Sequence, residues 1–221
     1  MSTFGKALIA GVMIFAPSIA LVAVVEAQPP IRIGASLSQT GAYAALGQNQ
    51  RRGYQLCVKH TNEKGGVLGR KLELVVEDDQ SQAATAIAIY ERLITHEKVD
   101  LVLSPYGSDM VELVANVTEK YRMPMVSSSG AATSIFKKGR KFIFQVNSPA
   151  ERYLEGFVEL VARHGLKTIA LINEDTLFPQ AVVKGASELA KKRGLQVVFA
   201  SALPKFYEVL GRTAEFVYGA S

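Results

Sequence analysis

The chain has 221 residues, of which 48% are hydrophobic and 20% are charged, and its formal net charge is +5. This composition is ordinary for a globular protein, and the length suffices for one domain or two small lobes. Because the basic residues form short clusters beside acidic residues or turns, and no nucleic-acid motif is present, the composition argues against a nucleic-acid partner.

Residues 1–27 predict a secretory signal peptide. Lys6 precedes the apolar stretch 7–25, and residues 25–27 place small or aliphatic side chains where a signal peptidase reads them. The alternative is a retained transmembrane anchor, because about twenty apolar residues can span a bilayer. The alanine-rich composition and the cleavage-like end favour removal, with a mature start near Gln28. In either case the rest of the chain is expected on the non-cytoplasmic side.

Strand and helix patterns then alternate along the chain. Short apolar or alternating runs predict strands at 31–37, 71–77, 99–103, 123–127, 142–146, 168–173 and 195–200. Apolar residues at helical spacing predict helices at 44–62, 81–96, 108–121, 149–164 and 179–192. Ser81 is expected to cap the second helix, and the chain is expected to become irregular after Ala200. This alternation indicates an α/β fold with a parallel β-sheet flanked by helices.

The chain shows no pattern of catalytic residues. The turn after the first strand, 34–41, matches neither the dinucleotide nor the phosphate-loop pattern, and Ser127-Ser128-Ser129 lacks the nucleophile elbow. Asp78 and Asp79 are adjacent at a strand end and point to opposite sides. One is expected to face the cleft and the other to cap the next helix or meet solvent, so they do not form an acid–base pair. We therefore predict a protein that is not an enzyme.

Cysteine and histidine usage predicts neither a disulfide nor a metal site. Cys57 is the single cysteine, which excludes an internal disulfide, and its apolar helical surroundings predict a buried small hydrophobe. The three histidines have no second ligand at workable spacing: His60, His96 and His164. No metal and no cofactor is expected.

The loops after the predicted strands are the candidate ligand site. In a parallel sheet, ligands bind beyond the carboxyl ends of the strands. Four such segments are rich in Ser, Thr, Gly, Tyr or Asp: 38–46, 78–82, 104–109 and 127–134. Short side chains and exposed backbone amides suit a carboxylate or another polar ligand. The sequence therefore predicts capture of a small polar molecule.

Five segments carry a resemblance to a known family. They read IGASLSQTG at 33–41, NEKGGVLGRKL at 62–72, EDDQS at 77–81, SPYGS at 104–108 and PMVSSS at 124–129. In this order they resemble type I periplasmic binding proteins, and most of all the leucine/isoleucine/valine-binding group of amino-acid and amide transporters. The resemblance runs from about Ile31 to Ala200.

The resemblance implies a two-lobed receptor that closes on an amino acid, amide or similar small carboxylate and delivers it to the membrane permease of an ABC importer. Residues 28–146 would form the N-terminal lobe and 147–221 a partial second lobe. Family members continue for well over a hundred further residues, so the chain resembles a C-terminally truncated member. The alternatives are a ligand-sensing module of a receptor or regulatory system and an exported α/β enzyme.

The resemblance also implies ligand contacts by position. Two loops would hold the ligand carboxylate through amides and hydroxyls: Tyr106, Gly107, Ser108 and Ser129, Gly130, Ala131, Ala132. Tyr43 and Leu46 would line the side-chain pocket, and Phe178 would add an apolar wall from the second lobe. The family often has serine where this chain has Gly107, which removes a hydroxyl but keeps the amide. Each position could instead be an ordinary surface loop residue.

Overall fold

Two parallel β-sheets organise the chain, and the computed structural model describes residues 28–203. The predicted signal segment 1–27 and the residues after Leu203 lie outside this range. Five strands form the first sheet: β1 (Ile31–Leu37), β2 (Leu72–Asp78), β3 (Leu101–Leu103), β4 (Met125–Ser127) and β5 (Ile143–Gln145). Their spatial order is β2-β1-β3-β4-β5, and every neighbouring pair is parallel.

The second sheet pairs two further strands, β6 (Thr168–Glu174) and β7 (Gln196–Leu203), also in parallel. β7 continues three residues past its predicted end at Ala200, so the expected irregularity there is wrong. Within residues 28–203, five α-helices connect the strands: α1 (Ala44–Glu63), α2 (Ala83–Thr95), α3 (Ser108–Lys120), α4 (Glu155–Arg163) and α5 (Leu177–Lys192). The predicted α/β fold with parallel strands flanked by helices is confirmed.

Helices cover both faces of the first sheet. On one face α2 and α3 contribute Tyr90, Leu93 and Val114 to a fully buried core with Val102 of β3. On the other face α1 contributes Tyr54. Strands buried on both faces explain the nearly continuous apolar runs in the sequence.

The second sheet has one covered face among the residues that the structure describes. Ile169 and Leu171 of β6 pack with Val158 of α4 and Ala186 of α5 in a separate core. The intervening residue Ala170 is exposed, as the twofold alternation of a strand requires. Within residues 28–203, no helix combines the length and the apolarity needed to cross a membrane.

The segment predicted as one helix, 149–164, is interrupted. Ala150–Arg152 forms a single 3-10 turn, and α4 begins only at Glu155. The Ala150 N–H donates to the carbonyl of Ala131 at 2.8 Å, which ties the turn to the loop after β4. This tertiary bond overrides the local helical pattern.

Cys57 is exposed, so the prediction of a buried cysteine is wrong. The buried face of α1 is narrow, and Gly47 and Tyr54 are its only buried residues. Cys57 follows Tyr54 by three residues, which correspond to about 300° of helix rotation. Its side chain therefore points about 60° away from that of Tyr54 and lies at the border of the buried face. The apolar residues around Cys57 in the sequence therefore do not bury its side chain, which is exposed to solvent.

Gly185 of α5 allows this helix to touch the 3-10 turn, and replacing it should be costly. A Cβ at Gly185 would lie 1.9 Å from the carbonyl oxygen of Glu151. We expect Gly185→Ala to lower the free energy of unfolding by about 2 kcal/mol, because backbone must move to accommodate the methyl group. Urea unfolding of the purified chain measures the change.

The matched control is Gly156→Ala in α4, where no atom lies within 4 Å of the added Cβ. Alanine should stabilise that helix by about 0.5 kcal/mol, because glycine loses more backbone entropy on folding. A Gly185→Ala variant as stable as the unmodified chain would contradict the close approach of α5 to the turn.

Candidate functional site

The loop after β1 is held by a buried carboxylate. Asp79 is fully buried, and its Oδ2 accepts a hydrogen bond from Ser36 Oγ at 3.0 Å. Its Oδ1 accepts from Ser38 Oγ at 2.6 Å and from the Ser81 N–H at 3.0 Å. These three hydrogen-bond donors offset the free-energy cost of burying the Asp79 carboxylate. Asp79 therefore organises the strand ends.

Asp78 organises the same loop from the other side of the strand. Its carboxylate accepts from the Gln39 N–H at 2.8 Å, the Gln80 N–H at 2.9 Å and Thr40 Oγ1 at 2.7 Å. Burial raises the pKa of Asp78, but the hydrogen bonds from Gln80, Thr40 and Gln39 outweigh burial and lower the pKa overall. Both carboxylates bond to the loops and neither caps α2, so the capping alternative is wrong, whereas Asp78 is only half-buried and its bonds are exposed to solvent.

Ser81 places Tyr43 instead of capping α2. The structure shows no side-chain cap on α2, whose N-terminal flanking residue is Gln82. Ser81 Oγ donates to the Thr40 carbonyl at 2.9 Å and accepts from the Tyr43 N–H at 3.0 Å. The prediction of a Ser81 cap is wrong, because the hydroxyl is used by the neighbouring loop.

Serine hydroxyls join the loops after β3 and β4. Ser108 is 1% exposed, and its Oγ accepts from the N–H groups of Ala131 and Ala132 at 3.2 Å each. Ser129 Oγ donates to the Pro105 carbonyl at 2.7 Å and accepts from the Gly107 N–H at 3.3 Å. The structure thus brings the two expected carboxylate loops together. Several polar groups of the two loops are hydrogen-bonded to each other.

Glycines permit this close loop packing. A Cβ at Gly130 would lie 2.6 Å from a methyl carbon of Val111 in α3. Gly107 has a φ of 86°, in the left-handed region that favours glycine, immediately before α3 begins. Glycine at position 107 therefore suits the backbone conformation.

Two pairs of aromatic side chains follow the strands at this edge, and we call the four residues the aromatic cluster: Tyr43 with Tyr106, and Tyr153 with Phe178. The Tyr43 and Tyr106 ring centroids are 5.7 Å apart, and Tyr153 meets Phe178 edge to face at 5.2 Å. An open depression of about 430 Å³ adjoins Tyr153. Phe178, a predicted site residue, therefore contacts Tyr153, which the sequence analysis did not single out.

The surroundings of Tyr43 and Tyr106 raise the pKa of both phenols. Burial raises the pKa of Tyr43, and the negative charges of Glu174 and Asp109 raise it further. Burial likewise raises the pKa of Tyr106, with smaller contributions from Tyr43 and Tyr153.

A direct hydrogen bond links the two halves beside the cluster. The Leu177 N–H at the start of α5 donates to the Asp109 carboxylate of α3, with N···O distances of 3.2 and 3.3 Å. A carboxylate at a helix N-terminus is also favoured by the helix dipole. The bond places Phe178 next to the loops of the first sheet.

Sequence reasoning also missed a polar group on α1. Gln50 Nε2 donates to the Ser104 carbonyl at 3.1 Å and to Tyr54 Oη at 2.6 Å. Tyr54 Oη and Ser128 Oγ share a hydrogen bond of 2.7 Å. The spacing of four residues between Gln50 and Tyr54 was the available signal, since it places both on one helix face. Leu46 lies nearby on α1 and is 43% exposed.

Comparisons with known proteins agree with this architecture. The family model described as periplasmic binding protein matches residues 30–205. Leu/Ile/Val-binding protein homolog 7 of Brucella melitensis biotype 1 is 28% identical over 190 residues, which cover 80% of this chain and 47% of that protein.

Two solved structures share the fold. A solute binding protein of an ABC transporter from R. palustris, in complex with 4-hydroxybenzoate, superposes with a TM-score of 0.72 at 23% identity, covering 85% of this chain and 51% of that one. An ABC transporter substrate-binding protein from Desulfitobacterium hafniense, in complex with Leu, gives 0.69 at 20% identity, covering 85% and 55%.

The chain spans about half the length of the relatives that it matches. Its match to the family model nevertheless covers most of the chain, from residue 30 to residue 205. The parallel sheets, the strand-end loops and the structural neighbours agree with that match. The chain belongs to the periplasmic binding protein family and has the type I fold.

Proposed function

We propose that this chain acts outside the cytoplasm as the solute-binding component of an ABC importer for amino acids, amides or similar small carboxylates. The observation that carries the proposal is the aromatic cluster, whose two ring pairs follow the carboxyl ends of strands in both halves of the described chain. Binding sites of α/β sheets lie at this edge. The partner is the membrane permease of the importer.

The relatives support this ligand class. The curated relatives are named for leucine, isoleucine and valine, and the solved neighbours include complexes with Leu and with 4-hydroxybenzoate. Solute-binding proteins of this family are not enzymes. The predicted signal peptide 1–27 agrees with an extracytoplasmic site of action, and the proposed lobes are 28–146 and 147–221.

We assign direct ligand contact to the aromatic cluster, Leu46 and the backbone at Gly107, Ser129 and Gly130. Ser108, Ala131 and Ala132 take part by setting the shape of the loops. The N–H groups of Ala131 and Ala132 already bond to Ser108 Oγ, and all three residues are buried. Their contribution to affinity is therefore indirect.

Ligand-dependent stabilisation tests the proposal. We expect leucine, a related amide or an aromatic carboxylate to raise the melting temperature of the purified chain. A ligand at one hundred times its dissociation constant adds about 2.7 kcal/mol to the free energy of unfolding. A folded sample that responds to none of these compounds, or that converts one of them, would contradict the proposal.

The aromatic contact has its own matched control. Phe178→Ala should remove most of the ligand-dependent shift, because it deletes a wall of the proposed site. Phe157→Ala changes the same residue type on α4, where Phe157 is 48% exposed, and should leave the ligand response unchanged.

A further inference from the structure

We infer that the groove between α1 and the edge strand β2 is a docking surface for an extended, acidic peptide segment of a partner protein. The segment pairs with the outer edge of β2 as an added strand and places acidic side chains against the basic residues of α1. This role is separate from ligand capture, because the groove lies at a flank of the first sheet and shares none of its lining residues with the aromatic cluster.

The outer edge of β2 is open to a further strand. Among the described residues β2 is an outermost strand of the first sheet, and it pairs only with β1, over all seven of its residues. None of these seven residues is buried, whereas five of the seven residues of β1 are. An edge strand of this length presents backbone N–H and C=O groups with which another chain can pair.

The side chain of Asn62 shows which way the free backbone groups of β2 point. Asn62 Nδ2 donates to the Leu72 carbonyl at 2.8 Å, and Asn62 Oδ1 accepts from the Leu72 N–H at 2.7 Å. The preceding carbonyl, that of Lys71, accepts instead from the first N–H of β1 at 2.8 Å. The Asn62 amide therefore bonds to β2 on the side away from β1, as a neighbouring strand would. Because these groups alternate along a strand, the N–H and C=O groups of Leu74 and Val76 point to the same outer side.

A groove of about 290 Å³ lies beside this edge. Residues of α1 and β2 line it: Arg51, Gln55, Val58, Lys59, Leu74 and Val76. The three aliphatic side chains make part of the lining apolar, and Arg51 and Lys59 add two cations. Side chains of paired strands share the faces of a sheet, so alternate side chains of a strand added to β2 point into the groove. This lining fits a side chain with an aliphatic stem and a terminal carboxylate.

The charge of the surrounding segment favours an acidic partner. Residues 44–71, which form α1 and the turn before β2, contain six lysine or arginine residues and one glutamate. The basic residues are Arg51, Arg52, Lys59, Lys64, Arg70 and Lys71. In the part of the chain that the structure describes, only Lys59 among them has a carboxylate partner, Glu63 at 3.8 Å. The excess of five positive charges in this segment equals the formal net charge of the whole chain, +5. Such a surface attracts acidic segments and accelerates their association.

Synthetic peptides test the inference by fluorescence polarisation with the purified chain. The end-blocked peptide ETEVETE alternates glutamate with β-branched residues, and KTKVKTK reverses its charge. We expect ETEVETE to bind about tenfold or more tightly than KTKVKTK, because opposite charges meet in the groove. Equal binding of the two peptides, or binding of neither, would overturn the inference. Binding of phosphatidylglycerol vesicles without binding of ETEVETE would also overturn it and would identify a membrane-facing surface instead.

Backbone methylation separates strand pairing from charge attraction. Two versions of ETEVETE carry N-methyl groups on one or the other set of alternate residues, and both keep the charge of the parent peptide. In an added strand only one of these sets directs its N–H groups at β2. We expect one version to bind about fivefold or more weakly, because it loses its hydrogen bonds to the edge, and the other to stay within about twofold. Equal affinities of the two versions would rule out pairing with β2.

A charge reversal locates the docking surface. Lys59→Glu should weaken the binding of ETEVETE by about tenfold and strengthen the binding of KTKVKTK. Lys191→Glu makes the same change at an exposed position of α5 and should leave both affinities within about twofold. Neither variant should alter the ligand-dependent melting temperature, which tests the proposed function separately. Equal effects of Lys59→Glu and Lys191→Glu on peptide binding would overturn the assignment to the groove.

Discussion

Replacing Gly47 with alanine is expected to destabilise the protein by about 3 kcal/mol, because the added methyl group overlaps backbone that cannot yield. A Cβ at Gly47 would lie 2.0 Å from the carbonyl oxygen of Ser38 and 2.8 Å from its carbonyl carbon. The first turn of α1 must then move away from the end of β1. For a chain of this size, the melting temperature should fall by about 9 °C.

Gly53 in the same helix provides the matched control. No atom lies within 4 Å of a Cβ built at Gly53. Gly53→Ala should therefore raise the free energy of unfolding by about 1 kcal/mol, the difference in helix propensity between the two residues. Two identical substitutions six positions apart in α1 should have opposite signs in urea unfolding.

The Gly47 variant also has a functional consequence. The Gly47 N–H donates to the Tyr43 carbonyl at 2.8 Å, so a shift of this turn displaces Tyr43 and the aromatic cluster. We expect ligand affinity to fall together with stability in Gly47→Ala, and affinity to be unchanged in Gly53→Ala. A Gly47→Ala variant as stable as Gly53→Ala would contradict the packing of α1 against Ser38.

Removing the buried carboxylate should produce the second large effect. Asp79→Ala leaves the hydroxyls of Ser36 and Ser38 and the N–H of Ser81 without their acceptor, in a region where Ser36 and Ser38 are fully buried. Hydrogen bonds to a charged group are the stronger ones, and unsatisfied buried donors carry their full desolvation cost. We expect a loss of about 3 kcal/mol in the free energy of unfolding.

Asp78, the residue before Asp79, tests whether the effect of Asp79 comes from its burial or from its contact with the loops. Asp78 accepts a similar number of hydrogen bonds, but its partners Thr40 and Gln80 are exposed, so water can replace the lost acceptor. Asp78→Ala should cost about 1 kcal/mol. Equal losses in Asp78→Ala and Asp79→Ala, measured by urea unfolding, would show that burial of Asp79 does not decide its role.

Much of the fold follows from local patterns in the sequence. Six of the seven strands and four of the five helices lie within two residues of their predicted bounds, because twofold and 3.6-residue periodicities are properties of neighbouring positions. The largest error, the interrupted segment 149–164, arose where a bond between Ala150 and Ala131 competes with helix formation.

The candidate site was also predictable only in part. Its location at the strand ends was predictable, since parallel strands place their carboxyl ends at one edge. The partners of its side chains were not. Ser108 bonds to residues 23 and 24 positions away, and Asp79 bonds to Ser36 across 43 positions. No periodicity encodes contacts of this separation.

By itself, the sequence determined the alternation of strands and helices, the edge at which the ligand loops meet and the family resemblance, because each depends on residue types in a short window. Tertiary structure alone decided which polar groups are left for a ligand. It assigned Asp79 to the loop support, engaged the amides of Ala131 and Ala132, and added Tyr153 to the aromatic cluster. These outcomes depend on packing between distant segments, which fixes the donors, acceptors and rings that face each other.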